Sequence, residues 1–240
     1  MSQNMKLREL SIVIPIYNEE KNIKLLSDKI KKNLKLKKYE IIFVDDNSKD
    51  NSHKILRYIQ KRNKRIKYII RKQKHKDLSK SCILGFKLSK YKNIIVMDGD
   101  LQHDPIYIPY LISKYEKTSC DIVVGCRNFF EKDSQGLSFF RTLSSLLVIL
   151  VINIFLGKKT SDPMSGFFLF KKQIYIRQKK NLYKKGYKIL ADLIYNNKSF
   201  LDIKDIKIKF KKRIQGKSKL NFMVVIYLLI FIFKKTFKNV

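Results

Sequence analysis

Two aspartates separated by one glycine, Asp98-Gly99-Asp100, follow directly on the apolar run Ile94 to Met97, and Leu101, Gln102, His103, Asp104 and Pro105 come next. The apolar run reads as a buried strand, so both carboxylates fall where a strand ends. Oxygen ligands suit a hard divalent cation, Mg²⁺ or Mn²⁺, and Mg²⁺ is usually held by one or two carboxylates together with substrate phosphates. The plainer account is an acidic turn, since Asp and Gly are ordinary turn residues. What decides between them is what the rest of the chain brings to the same place.

Two more polar endings follow apolar runs. Leu10 to Ile16 stops at Tyr17-Asn18-Glu19, and Glu40 to Val44 stops at Asp45-Asp46-Asn47-Ser48. After the first, Ile23, Leu25, Leu26, Ile30 and Leu34 are spaced for one face of a helix, and Ile55, Leu56 and Ile59 do the same after the second. Ile66 to Ile70 reads as a third strand, Asp77 to Lys90 as a helix, and Ile94 to Met97 as the fourth strand. This alternation predicts an α/β fold, a mostly parallel sheet covered by helices on both faces. Ligands of such sheets sit beyond the carboxyl ends of the strands, so the three polar endings should share one rim. The local alternatives are that Asn18 caps the first helix and that Asp45 or Asp46 caps the second.

Downstream, Pro105 opens a helix through Tyr115, and Asp121 to Gly125 is a fifth strand ending at Cys126-Arg127-Asn128. Leu137 to Leu156 is long and apolar, interrupted by Arg141, Ser145 and Asn153. An arginine inside such a stretch must find an anion or water. Asp162-Pro163-Met164-Ser165-Gly166 leads into a strand-like Phe167 to Phe170, Gly186 to Asn196 reads as a helix, and a strand pattern runs from Ile203 to Phe210. Arg213 to Lys219 is a basic loop bearing a glycine, and Phe222 to Phe233 is unbroken apolar chain between lysines.

The 240 residues are enough for one domain with a real core, and an apolar fraction of 45% excludes wholesale disorder. A formal charge of +33 calls for a polyanionic partner, nucleic acid or an anionic membrane surface, although a lysine-rich coding bias contributes to it. Cys82, Cys120 and Cys126 are odd in number and lack a Cys-x-x-Cys pair, which argues against a disulfide framework or a zinc site and fits a reducing compartment. The first apolar run is short and ends in Tyr17-Asn18-Glu19-Glu20, so no signal peptide is expected.

As a helix, Phe222 to Phe233 would be about 18 Å long, against a hydrocarbon core of about 30 Å. Leu137 to Leu156 is nearer spanning length, but its polar interruptions oppose a span. Both are expected to lie in a membrane interface with lysines on anionic headgroups, the alternative being core or dimer helices.

Taken in order, IPIYNEE at Ile14 to Glu20, VDDNSKDNS at Val44 to Ser52, MDGDLQHDP at Met97 to Pro105, DPMSGFF at Asp162 to Phe168 and RIQGKSKL at Arg213 to Leu220 resemble the signatures of family 2 glycosyltransferases with a GT-A fold. Within that family the chain is most similar to the dolichol- and polyprenol-phosphate mannose synthases, over roughly residues 9 to 220. The resemblance implies a Rossmann-like GT-A domain over residues 1–219, with a nucleotide-binding half at 1–100 and an acceptor half at 101–219, and a membrane-associating tail at 220–240. It implies that Pro15, Tyr17 and Glu19 line the pocket of a nucleotide-sugar donor, with Val44 and Asp46 nearer the base. Asp98, Asp100 and Gln102 would hold Mg²⁺ or Mn²⁺, and the backbone of Gly99 would sit beside the pyrophosphate. Arg127, Arg141 and Ser145 would face the phosphate of a polyprenyl-phosphate acceptor, while Arg213 and Lys219 close over the donor diphosphate. Asp100, Arg127 and Arg213 would carry the catalysis. Two positions depart from the family pattern: Asp77 stands where a glycine usually precedes the Leu-Ser pair, and Asp192 where Glu is frequent.

The reaction implied is inverting transfer of a hexose, first of all mannose from GDP-mannose, to a polyprenyl or dolichyl monophosphate at the cytoplasmic face of a membrane. The nucleophile, a phosphate monoester with a second pKa of about 6, is already largely dianionic at neutral pH and needs no strong base. Two cationic forks, Arg127 and Arg141, suit its positioning. The same scaffold with a UDP-sugar such as UDP-glucose is the near alternative, and a silent partner subunit another. A basic nucleic-acid-binding protein is the alternative from a different class, but no RNA-recognition, helix-turn-helix or zinc motif is present, and no nucleic-acid partner is expected. A homo-oligomer or a separate membrane subunit stays open.

Overall fold

The structure, a computed structural model, describes residues 6–73, 75–128, 139–184, 186, 189–197, 199–211, 230 and 232, and of residues 139–141 only the helical backbone. The first half alternates as read: β1 (Glu9–Ile16), α1 (Glu20–Asn33), β2 (Lys38–Asp45), α2 (Ser52–Arg62), β3 (Ile66–Ile70), α3 (Leu78–Leu88) and β4 (Asn93–Val96). A short 3₁₀ turn, Pro105–Tyr107, leads into α4 (Ile108–Thr118), followed by β5 (Ile122–Arg127), α5 (Phe139–Leu156), β6 (Phe168–Lys171), α6 (Lys172–Gln178), α7 (Ile189–Tyr195) and β7 (Ile203–Ile208).

The strands form one sheet in the order β3-β2-β1-β4-β6-β5-β7. β6 alone runs antiparallel, to both β4 and β5, and the other pairs are parallel. The carboxyl ends of β1 to β5 and the amino end of β6 therefore meet at one rim.

Alternate residues of each strand are buried on opposite faces. Ile12, Ile14, Ile41, Phe43, Ile95, Val123 and Leu169 join a core with Ile23, Leu26 and Ile30 of α1, Leu56 of α2 and Leu111 of α4. Val13, Ile42, Val44, Ile94, Val96, Ile122, Val124, Phe168 and Phe170 join another with Cys82 and Phe86 of α3, Ile174 of α6 and Leu193 of α7. With both faces covered, strands become apolar at nearly every position, which is why they are visible in the sequence.

α5 is two-sided. Ile149 and Ile152 are buried, and Ile152 packs with Ala191 of α7 and Ile232, a residue of the terminal apolar run. Leu143, Leu147, Leu150, Ile154 and Phe155 are exposed. The core alternative for these apolar stretches thus holds for one side of α5 and for Ile232; the rest of the interfacial C-terminal helix read from the sequence lies outside the described residues. Among the described residues, no helix is long and apolar enough to cross a membrane.

Candidate functional site

The acidic turn leaves β4 and folds back under its own carboxylates. Asp98 stands at the rim with 31% of its side chain exposed, whereas Asp100 and Gln102 are buried. Asp100 Oδ1 accepts the Gln102 amide at 3.1 Å, and Leu101 takes a left-handed φ of 62°. Two glycines allow the close fit. A Cβ on Gly99 would lie 2.6 Å from Ile16 Cγ2, and one on Gly166, just before β6, would lie 2.2 Å from Asp98 Oδ2. The chain after β7 then crosses the turn: the Lys211 amide donates to the Gln102 carbonyl at 3.0 Å, and Gln102 Nε2 donates to the Lys211 carbonyl at 3.2 Å. Lys211 Nζ pairs with Asp104, which also accepts the Ile106 amide and starts the 3₁₀ turn. Burial acts to raise the Asp104 carboxyl, but these partners outweigh it and hold it below its ordinary value.

Next along the rim, the β1–α1 connection is laced to the β2–α2 connection. Ser48 Oγ accepts the Asn18 amide at 2.8 Å, Asn18 Oδ1 accepts the Lys49 amide at 2.8 Å, and Ser52 Oγ accepts the Glu19 amide at 3.2 Å. Glu19 is buried and accepts Asn22 Nδ2 at 2.7 Å. Asn18 is therefore no helix cap; Glu19 holds that position without a side-chain bond, and Asn18, at φ 53°, bridges loops instead. Nor do Asp45 and Asp46 cap α2, whose cap position is Asn51. Asp45 Oδ1 accepts the Ser48 amide at 2.7 Å and meets His53 Nε2 at 3.0 Å.

Asp46 forms a buried ion pair with Arg71, the residue after β3, and accepts the Asp77 amide at 2.6 Å. Burial raises its carboxyl above the ordinary value against the pull of those partners. Its oxygens are thus engaged by protein, and Val44 beside it is wholly buried in the α3-side core, as Pro15 is within β1. Both back the rim from behind. Tyr17 is half-buried, with Lys76 Nζ 3.7 Å above its ring.

Arg127, at the end of β5, gives Nε and Nη2 to the fully buried Asp162 at 2.7 and 2.9 Å. Burial opposes its charge, but Asp162 outweighs this and raises its pKa. Arg127, read as a cation for the acceptor phosphate, is ion-paired with Asp162, and that pair holds the 160–166 loop whose Gly166 abuts Asp98. The loop is pinned again from β7, where Asp205 accepts Thr160 Oγ1 at 2.6 Å and the Ser161 amide at 2.8 Å. Ser145 lies half-buried on α5. The side chain of Arg141, and Arg213 and Lys219 altogether, lie outside the described residues.

Arg71, Asp162 and Asp205 were missed in the sequence reading. Arg71 was within reach of it, since it follows a strand as Asp45 and Asp98 do. Asp162 opens the DPMSGFF signature, but its partner Arg127, like the Thr160 partner of Asp205, lies far along the chain and leaves no local signal.

The donor set at the turn, two carboxylates and an amide oxygen, consists of hard oxygen ligands. Among the described residues, no three His, Cys, Asp or Glu side chains group to hold a metal.

Known proteins share this architecture. The chain resembles a dolichol-phosphate mannosyltransferase of Pyrococcus furiosus, with 35% identity over 217 residues, 88% of this chain and 59% of that protein. It resembles another of that description from Saccharomyces cerevisiae, with 30% identity over 226 residues, 91% of this chain and 83% of that one. The chain thus spans little more than half of the Pyrococcus protein. Glucosyl-3-phosphoglycerate synthase from Mycobacterium tuberculosis, solved with UDP, superposes with a TM-score of 0.69 at 15% identity, covering 95% of this chain and 80% of that one. The same synthase with Mn²⁺, UDP and glucosyl-3-phosphoglycerate gives a TM-score of 0.67 at 14% identity over 97% and 80%. At such identity the likeness is one of fold, and it is the GT-A fold read from the motifs. With residues 11–178 matched by the glycosyl transferase family 2 model and most of the chain aligned to the two mannosyltransferases, the chain belongs to glycosyl transferase family 2.

Proposed function

We propose that this protein transfers a hexose, with inversion, from a nucleoside diphosphate sugar to a polyprenyl monophosphate, and that the donor is GDP-mannose. The observation that carries the reading is the acidic turn: Asp98 partly exposed at the carboxyl rim, Asp100 and Gln102 buried behind it, beside the polar endings of β1 and β2. The names of the two similar mannosyltransferases support the donor and the acceptor.

In this reading Asp98, Asp100 and Gln102 hold Mg²⁺ or Mn²⁺, which when bound would neutralise charge on the departing diphosphate. Tyr17 and Glu19 border the donor, and the Arg71–Asp46 pair with the Asp77 amide fixes the wall on the base side. The Gly99 backbone, packed closely on Ile16, sits beside the pyrophosphate. Arg213 and Lys219 supply further positive charge to the donor, and Arg141 with Ser145 receive the lipid phosphate. Arg127 contributes through Asp162 by setting the loop against Asp98. An oxygen of the acceptor phosphate attacks the anomeric carbon as the bond to the diphosphate breaks. The acceptor is already anionic, so positioning and charge stabilisation carry the step without a general base.

The test is transfer from labelled GDP- and UDP-sugars to polyprenyl phosphate with Mg²⁺, Mn²⁺ or EDTA. One mannosyl lipid from GDP-mannose is expected, lost with EDTA and reduced about a hundredfold or more in Asp100→Ala. Transfer only from a UDP-sugar would replace the donor. Salt-sensitive binding of nucleic acid with no nucleotide-sugar affinity would overturn the reading.

A further inference from the structure

His103 follows the acidic turn and is 2% exposed, yet among the described residues neither of its ring nitrogens has a hydrogen-bond partner. Leaving a buried polar group unmatched costs about 1–3 kcal/mol, and such exceptions in folded proteins call for an explanation. The ring is held edge to face against Phe210 at 5.1 Å between centroids and tilted on Phe167 at 5.6 Å. Its backbone is bridged to Phe210. So confined, its Nδ1 lies 3.4 Å from Asp98 Oδ2. The same oxygen has the Gly166 backbone on another side, where even a methyl group would collide with it.

We propose that His103 is a positioning residue that fixes the orientation of the Asp98 carboxylate by donating its Nδ1–H to Oδ2, leaving the other oxygen for a divalent cation. This rests on the reading of Asp98 as a metal ligand. A contact of 3.4 Å is longer than a formed hydrogen bond, and such bonds are often long in ligand-free sites and tighten when the ligand binds. Carboxylates that ligate metals are in turn held by hydrogen-bond donors, and loss of such a donor typically weakens metal binding tenfold to a hundredfold. The aromatic slot explains why the donor is an imidazole: a flat ring fits between Phe167 and Phe210, and it can still present one N–H at its edge.

The experiment titrates the full-length protein with Mn²⁺ in the presence of GDP, reading free Mn²⁺ by electron paramagnetic resonance, in wild type, His103→Phe and His103→Asn. Phenylalanine fills the slot without a donor, and asparagine restores an N–H near the position of Nδ1. Mn²⁺ binding should weaken about tenfold or more in His103→Phe, and His103→Asn should recover most of the loss. Thermal unfolding should separate this from a packing role, since replacing an unmatched polar ring by an apolar one should leave Tm equal or higher. A folded His103→Phe protein that binds Mn²⁺ as wild type does would overturn the proposal, as would an asparagine variant no better than phenylalanine. If the phenylalanine variant does not fold, His103→Leu takes its place with the same two outcomes. Absence of Mn²⁺ binding by the wild type would instead remove the metal reading, and this inference with it.

Discussion

Arg127 and Asp162 meet through two hydrogen bonds, with Asp162 completely buried and Arg127 nearly so. Removing one partner of such a pair strands the other charge and typically costs about 3–5 kcal/mol. Arg127→Ala should therefore lower the denaturation midpoint strongly, and activity should fall through loss of the 160–166 loop. Arg127→Lys should rescue only part, because an ammonium cannot reproduce the fork. If Arg127→Ala unfolds like wild type while losing activity, the side chain serves the substrate and not the loop. Glu40 offers a contrasting test at the other end of the sheet. Burial acts to raise its carboxyl, but Lys67, Ser11 and the Lys90 amide together bring it below the ordinary value. A carboxylate whose pKa is depressed on folding stabilises the fold at pH above its unfolded value and loses that contribution as pH falls through its folded value. Wild type should thus lose Tm more steeply than Glu40→Gln as pH drops below about 4. Parallel melting curves across that range would refute this.

Helices and strands set a different limit on what can be read. Ile66–Ile70 was expected as a strand and is one, the edge strand, which pairs in parallel with β2 and is only partly buried beyond Ile66. β6 was expected as a strand too, but its reversal was not, since residues that alternate between two apolar faces carry no mark of direction. α6 went unseen because seven residues following β6 without a loop give too short a period to recognise. The rim positions of Tyr17, Asp46 and Asp98 were legible because strand ends supplied the signal. The site was illegible where a partner comes from far along the chain, as with Asp162. Asp77 shows both sides of this. Its departure from the family glycine was plain, but only the structure shows its use: it caps α3 by accepting the Lys80 amide at 3.0 Å and accepts the Gly186 amide at 3.1 Å. Loss of a cap costs about 0.5–2 kcal/mol, so Asp77→Ala should destabilise by at least that order in a urea titration. Asp77→Gly should cost a similar amount if the Gly186 bond matters, and only a few tenths of a kcal/mol if capping is the whole effect. That difference separates the helix cap from the link it makes to the segment before α7.

At the scale of the whole molecule, two features bear on the proposed lipid acceptor: a high net positive charge and an exposed apolar helix face. The formal charge is +33, and α5 turns Leu143, Leu147, Leu150 and Ile154 outward at helical spacing while its other side packs on α7. No described helix is built to cross a bilayer. A helix of this kind can lie in the interface, its apolar stripe among acyl chains and lysines on anionic headgroups, each worth about 1 kcal/mol near the surface. We propose that this face brings the rim to the polyprenyl phosphate. The prediction has two parts, because two forces act. Flotation with phosphatidylserine-containing vesicles should fall as salt rises, following the screening of the lysines. Leu147→Glu with Ile154→Glu should reduce flotation at low salt while leaving Tm unchanged, since both side chains are exposed in the fold. If the double variant floats as wild type does, lipid does not meet α5. If salt has no effect, the net charge reflects composition alone and the attachment is apolar.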